Sequence, residues 1–142
     1  MSRALVIGYD GSDCAAAALE EAIELAKATG DRLVVAFGYE PAGPAGEEIS
    51  VLRDEVRKFG ERATAPALAR AEEAGVGAEL ALVAERPVQA LLTLADQHDA
   101  RAIVVGTYGE HPIKGALIGS TPHKLLHLSE RPVIVVPVVG DD

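Results

Sequence analysis

The sequence predicts a single-domain α/β protein with an open, parallel, five-stranded sheet and helices on both faces, a Rossmann-like architecture. Short apolar runs alternate with segments of helical periodicity, which is typical of successive β-α-β units. Most of these runs are apolar throughout, as expected for strands buried on both faces. The 142 residues suit one domain, 1–142, large enough to bury about two-thirds of its unfolded surface.

The first strand is predicted at residues 4–7, followed by a turn at 8–12, a helix that Gly30 ends, and a second strand at 33–37. A loop rich in proline and glycine at 40–46 precedes a longer helix that begins at Glu47. We expect Pro66 to kink or divide that helix, and Gly75 and Gly77 to end it. The residues predicted for its buried stripe are Ile49, Leu52, Val56, Phe59 and Ala63.

The remaining strands are predicted at 78–83, 103–105 and 132–137. Pro87 suits the start of one intervening helix, and the last helix lies within 117–128. Parallel strands with right-handed crossovers bind ligands beyond their carboxyl ends, where the strand order reverses. If strands one and four are neighbours there, the loops after Ile7 and Val105 meet in one crevice.

The composition limits the classes of molecule that the protein can bind. Thirteen Lys and Arg against 22 Asp and Glu give a net charge of −9, which repels nucleic acid and anionic lipid. No apolar run approaches the ~20 residues that a membrane span needs, so we expect a soluble, cytoplasmic protein. The lone Cys14 excludes an internal disulfide framework.

Glycines follow the fourth strand at a characteristic spacing, Gly106-x2-Gly109-x9-Gly119-Ser120. Glycine lets a backbone approach a ligand closely, and a helix that begins at Gly119 or Ser120 would direct free N–H groups toward an anion. This spacing resembles the nucleotide-binding signature of the universal stress protein family, and the resemblance covers the whole chain. It implies the strand order 3-2-1-4-5 and a nucleotide-responsive stress protein that binds ATP or a related adenine nucleotide.

Asp10 has two interpretations: a turn carboxylate that accepts backbone hydrogen bonds, or a recognition group. The resemblance implies that Asp10 contacts the adenosine part of the nucleotide and that Gly8, Gly38 and Val105 line the adenine and ribose pocket. Backbone N–H groups of the glycine loop, with the Ser120 hydroxyl, would hold the phosphates. The predicted nucleotide-binding residues are Gly8, Asp10, Gly38, Val105, Gly106, Gly109, Gly119, Ser120 and Thr121.

Two positions depart from the family's pattern. Gly38 is smaller than the usual apolar residue, and Pro122 stands where the family often has Ser or Thr, so a hydroxyl and an N–H are missing. In the loop, Lys114 and His111 would support phosphate binding, whereas Glu110 opposes it. A magnesium ion bound with ATP would be coordinated by the phosphate oxygens and would keep several of its water ligands.

Other polar residues give weaker signals. His123 and His127 have a spacing that can chelate a metal, but without a third ligand we interpret them as surface or interface residues and predict no metal site. A redox role for Cys14, at a helix start, has equally weak support. Neither a Ser-His-Asp order nor a carboxylate pair stands out, so we predict a binding protein with no catalytic residues and at most slow ATP hydrolysis.

The fifth strand is rich in valine and suits a sheet edge, where an apolar strand invites pairing. The resemblance implies a two-fold homodimer through this strand, with Val133, Val135 and Val138 as contacts. The alternative function is a nucleotide-free dimeric interaction module of the same family. A phosphoacceptor receiver domain would share the architecture, but the acidic cluster and late lysine that it requires are not found.

Overall fold

The computed structural model describes residues 3–39, 47–107 and 120–138. Strands and helices alternate along this part of the chain. They are β1 (Ala4–Gly8), α1 (Asp13–Thr29), β2 (Arg32–Gly38), α2 (Glu47–Glu73), β3 (Ala78–Val83), α3 (Pro87–Gln97), β4 (Ala102–Gly106), α4 (Ser120–Leu128) and β5 (Val133–Val136). The predicted loop at 40–46 lies outside the described residues.

The five strands form one sheet in the order β3-β2-β1-β4-β5, and every neighbouring pair is parallel. The fold class and the strand order predicted above are therefore confirmed. β1 lies in the centre, with Ile7 opposite Val35 of β2 on one side and Val104 of β4 on the other. β5 is an edge strand, because it pairs only with β4 within the sheet.

Two apolar layers enclose this sheet. On one face α1 and α2 pack against alternate strand residues such as Leu5, Ile7 and Leu33. On the other face α3 and α4 cover the residues between them, among them Val6, Val34 and Ile103. Because both faces are covered, the central strands are apolar throughout, as the sequence pattern indicated.

The two termini of α1 are well defined. The Ser12 hydroxyl accepts a hydrogen bond from the backbone N–H of Ala15 at 3.1 Å and caps the helix. Gly30 follows with φ of 78°, in the left-handed conformation that glycine adopts without a steric cost. Both ends of this helix were predicted within two residues.

The structure corrects the predicted buried stripe of α2. Phe59 is 57% exposed rather than buried, although its ring lies 6.1 Å from that of Phe37. Pro66 does not divide the helix, which continues to Glu73. The side chains predicted at Ile49 and Leu52 lie outside those described.

Small residues form the buried face of α2 instead. A Cβ atom at Gly60 would lie 2.7 Å from Cδ2 of Leu82, so the helix approaches the sheet more closely there than a larger residue would allow. The Thr64 hydroxyl is satisfied by donating to the Gly60 carbonyl at 2.7 Å. Among the α2 residues whose side chains the structure describes, which begin at Asp54, the buried ones are Gly60, Thr64, Ala67 and Ala71.

A polar network joins the amino ends of the strands. The carboxylate of Asp31, just before β2, accepts hydrogen bonds from the guanidinium of Arg101, just before β4, and from the backbone N–H of Arg3 at 2.9 Å. Arg131, just before β5, donates to Asp99 at 3.0 Å and to the carbonyl of Ala100 at 2.9 Å. These contacts connect the amino ends of β1, β2, β4 and β5, at the opposite end of the strands from the predicted crevice.

Among the described residues, no helix has both the length and the apolar character that crossing a bilayer would require.

Candidate functional site

The carboxyl ends of β1 and β4 lie side by side. Val6 is opposite Ile103 and Ile7 is opposite Val104, so the next residues, Gly8 and Val105, are neighbours where each strand ends. The chain proceeds from β1 to one side of the sheet and from β4 to the other, so this is the point where strand order reverses. The structure thus brings together the ends of the two strands from which the predicted crevice loops depart.

Gly8 forms the floor of this crevice on the α3 side. A Cβ atom at Gly8 would lie 3.3 Å from Cγ1 of Val105 and 3.4 Å from Cδ1 of Leu91. Any side chain at this position would therefore compete with Val105, which is itself buried. Leu91 was not among the predicted site residues, because in the sequence it belongs to the apolar stripe of α3 and looks like core.

Asp10 occupies the turn between β1 and α1. Its carboxylate oxygen Oδ1 accepts a hydrogen bond from the backbone N–H of Ser12 at 2.9 Å, and Gly11 has φ of 83°. This is the turn interpretation of Asp10, and it holds the residue in place. Asp10 remains exposed, so the recognition interpretation is compatible with the same geometry.

Gly106 is held against the start of α1. A Cβ atom there would lie 2.6 Å from the carbonyl oxygen of Cys14 and 2.7 Å from its Cβ. Only glycine fits between β4 and this helix. The next residue, Thr107, places Oγ1 4.0 Å from the Cys14 sulfur, so the packed thiol lies beside the start of the glycine loop.

α4 begins at Ser120, which is exposed, followed by the half-buried Thr121 and the buried Pro122. The helix therefore begins where the glycine spacing predicted, and Pro122 is its third residue. N–H groups of a first helical turn have no acceptor within the helix, so Ser120 and Thr121 are suited to contact an anion and Pro122 is tolerated. Gly109 and Gly119, together with Glu110, His111 and Lys114, lie outside the described residues.

Gly38 has a structural explanation. A Cβ atom at this position would lie 2.8 Å from the carbonyl oxygen of Glu85 and 3.1 Å from Cβ of Ala90. The end of β2 is therefore packed against the start of α3, and the small residue permits that contact.

Tyr9, beside Asp10, has a shifted pKa. Partial burial raises the pKa of the Tyr9 hydroxyl, and the neighbouring negative charge of Asp10 raises that pKa further. Tyr9 therefore stays neutral at physiological pH. In the described part of the chain, no three His, Cys, Asp or Glu side chains are grouped so that they could hold a metal ion.

The chain is similar to known proteins of one family. The model of the Universal stress protein family matches residues 1–137. Universal stress protein Rv1636 of Mycobacterium tuberculosis is 33% identical, with 94% of this chain and 95% of that protein covered.

Two solved structures show the same fold. A universal stress protein crystallised in complex with cAMP is 33% identical, has a TM-score of 0.76, and is matched over 94% of this chain and 96% of that chain. UspA from Lactobacillus plantarum has a TM-score of 0.81 at 20% identity, with 94% and 97% of the two chains covered.

Proposed function

Because this chain belongs to the universal stress protein family, we propose that an adenine nucleotide binds at the carboxyl ends of β1 and β4. The observation that carries the proposal is the juxtaposition of Gly8, Asp10, Val105 and Gly106 at the reversal of strand order. Gly8 is only partly buried where β1 ends, the Asp10 carboxylate is exposed beyond it, and α4 begins with residues suited to an anion. The protein would use occupancy of this site to respond to stress.

ATP with magnesium is the proposed ligand, and the magnesium ion would be held through the phosphates. The 33% identical relative crystallised with cAMP supports an adenine nucleotide as the ligand class. Asp10 would accept a hydrogen bond from the adenosine part, and Gly8 and Val105 would contact adenine and ribose. The phosphates would lie against the backbone of Gly106, Gly109, Gly119, Ser120 and Thr121.

The first experiment identifies the nucleotide. The protein as purified is denatured, any released nucleotide is identified by chromatography, and the emptied protein is titrated calorimetrically with ATP plus magnesium, with AMP and with cAMP. Saturable binding of an adenine nucleotide supports the proposal. An empty protein that binds none of them refutes it.

The second experiment tests Asp10. An Asp10→Asn protein retains a carbonyl oxygen for the Ser12 N–H and therefore the turn, but loses the charge. A hydrogen bond to a charged group contributes about 1.5–3 kcal/mol, so we expect nucleotide affinity to fall about tenfold or more. Asp13→Asn is the matched control, because Asp13 is a nearby exposed carboxylate on α1. Equal affinities of the two variants would exclude Asp10 from the site.

A second candidate function is the nucleotide-free interaction module. The packing of Gly38 against α3 favours it, since a contact to adenine expected from the family is replaced by an internal one. Both candidates include a homodimer in the cytoplasm that pairs through the free edge of β5. Val133 and Val135 are half-buried on that strand, and Val138, just beyond it, is 43% exposed. Sedimentation at micromolar concentration that shows only monomer would exclude the dimer.

A further inference from the structure

The outer face of α4 presents two histidines at helical spacing. At 100° per residue, His123 and His127 lie on the side of the helix opposite the buried Pro122 and Leu125. Both imidazoles are exposed, and in the described part of the chain neither forms an ion pair. Their rings contact each other, with centroids 4.9 Å apart and planes at 73°.

That separation suits chelation. Zinc binds an imidazole nitrogen at about 2.0–2.1 Å, so two rings on one tetrahedral ion have their centroids about 5 Å apart. The two histidines of α4 already have nearly this centroid spacing. Two histidines at i and i+4 on one helix face are also the ligand arrangement of helical zinc motifs.

We propose that His123 and His127 form a bidentate site for a borderline divalent transition-metal ion, with water completing the coordination. Imidazole selects zinc, nickel or copper over magnesium and calcium, which prefer oxygen ligands. An exposed two-histidine site needs no third protein ligand, because water supplies the other coordination positions. The net charge of −9 favours a cation, whereas Lys124 on the same helix face opposes it.

The two histidines are not among the residues assigned to the nucleotide. They follow Ser120 and Thr121, the α4 residues assigned to the phosphates, and lie on the exposed face of the same helix. Magnesium that accompanies ATP would not compete for it, because magnesium prefers oxygen ligands and retains its waters. Failure of the proposed nucleotide function would therefore leave this inference intact.

The test is a titration of the full chain with zinc chloride at pH 7.5 in a buffer that does not bind metals, followed by calorimetry and by NMR of the histidine rings. We expect one saturable site that shifts the signals of His123 and His127. His123→Ala and His127→Ala should each weaken zinc binding at least tenfold, since the chelate is lost. Copper should bind more tightly than zinc, and magnesium should not shift the rings.

Two variants make the result specific. Lys124→Ala removes an exposed side chain from the same face without removing a ligand, and should bind zinc at least as tightly as the parent. The double variant His123→Ala/His127→Ala keeps His98 and His111, so it reports any zinc bound by other histidines. If the double variant binds zinc as tightly as the parent, or if the parent shows no saturable binding, the proposal is overturned.

Discussion

Replacing Asp31 by asparagine should lower the stability of the protein at neutral pH and remove part of its pH dependence. The Asp31 side chain has no exposed surface and is surrounded by hydrogen-bond donors from Arg101 and Arg3. The hydrogen bonds from the Arg101 guanidinium are the main reason that the pKa of Asp31 falls from 3.8 to about 2, and the backbone N–H of Arg3 lowers it further. Burial acts in the opposite direction and is outweighed.

The size of the effect follows from that difference. A pKa of about 2 in the folded protein against 3.8 unfolded corresponds to about 2 kcal/mol of stability at neutral pH. Because the Arg101 side chain is 37% exposed, solvent screening reduces this, and we expect about 1–2 kcal/mol. Since the folded pKa is the lower one, this stability is fully present above about pH 4 and is lost as the pH falls from 4 toward 2.

Urea unfolding of the parent and of Asp31→Asn at several pH values between 7 and 3 measures this contribution. Asparagine keeps the size of the side chain and an oxygen for the Arg3 N–H, but it cannot form the ion pair. The two free energies of unfolding should differ by about 1–2 kcal/mol from pH 7 to 5, and the difference should shrink to roughly half by pH 3 because the folded pKa is about 2.

Asp96→Asn is the control for this series. The Asp96 side chain is 78% exposed and lies 3.6 Å from the Arg131 guanidinium, so its replacement should change stability by less than about 0.5 kcal/mol. A loss of stability in Asp31→Asn no larger than in Asp96→Asn, or one of the same size at pH 7 and pH 3, would refute this role of Asp31.

Two further predictions concern backbone packing. Gly106→Ala should lower the free energy of unfolding, measured by urea titration, by about 2 kcal/mol or more, because its Cβ would lie 2.6 Å from a backbone oxygen of Cys14. Gly77→Ala is the control: its Cβ would be 3.9 Å from the nearest neighbouring atom, so the free energy of unfolding should hardly change. Pro66→Ala should raise the free energy of unfolding by about 1–2 kcal/mol, since alanine restores an N–H donor inside α2; an unchanged or lower urea midpoint would contradict this.

The sequence predicted the elements of this fold well because the buried strands are unbroken apolar runs and the helix ends carry specific residues. The interior of α2 was predicted poorly. From Asp54 onward, where its side chains are described, the buried residues are a glycine, a threonine and two alanines, which give little hydrophobic signal, whereas the conspicuous Phe59 is exposed. The close approach at Gly60 depends on Leu82, and no local pattern relates two residues on different elements.

The glycine spacing pointed to Gly106, whereas Gly8 and Val105 were assigned to the site through the resemblance to the family. The structure places Gly8 and Val105 side by side at the ends of β1 and β4, and their role in nucleotide binding stays a prediction. The role of Gly38 was not visible, because its small size is explained by Glu85 and Ala90 on a later segment. The pairing of Asp31 with Arg101 likewise joins residues 70 positions apart, which only the alignment of parallel strands brings together.

The polar network at the amino ends of the strands has a practical consequence for altering this protein. Its charged groups lie at the amino ends of the strands, and the proposed nucleotide site lies at their carboxyl ends, so the full length of the strands separates them. Laboratory evolution could therefore adjust stability in acid through substitutions at the amino ends and ligand preference through substitutions at the carboxyl ends, as nearly independent traits. Substitutions drawn from the two ends should combine additively, because sites that share no neighbours seldom interact.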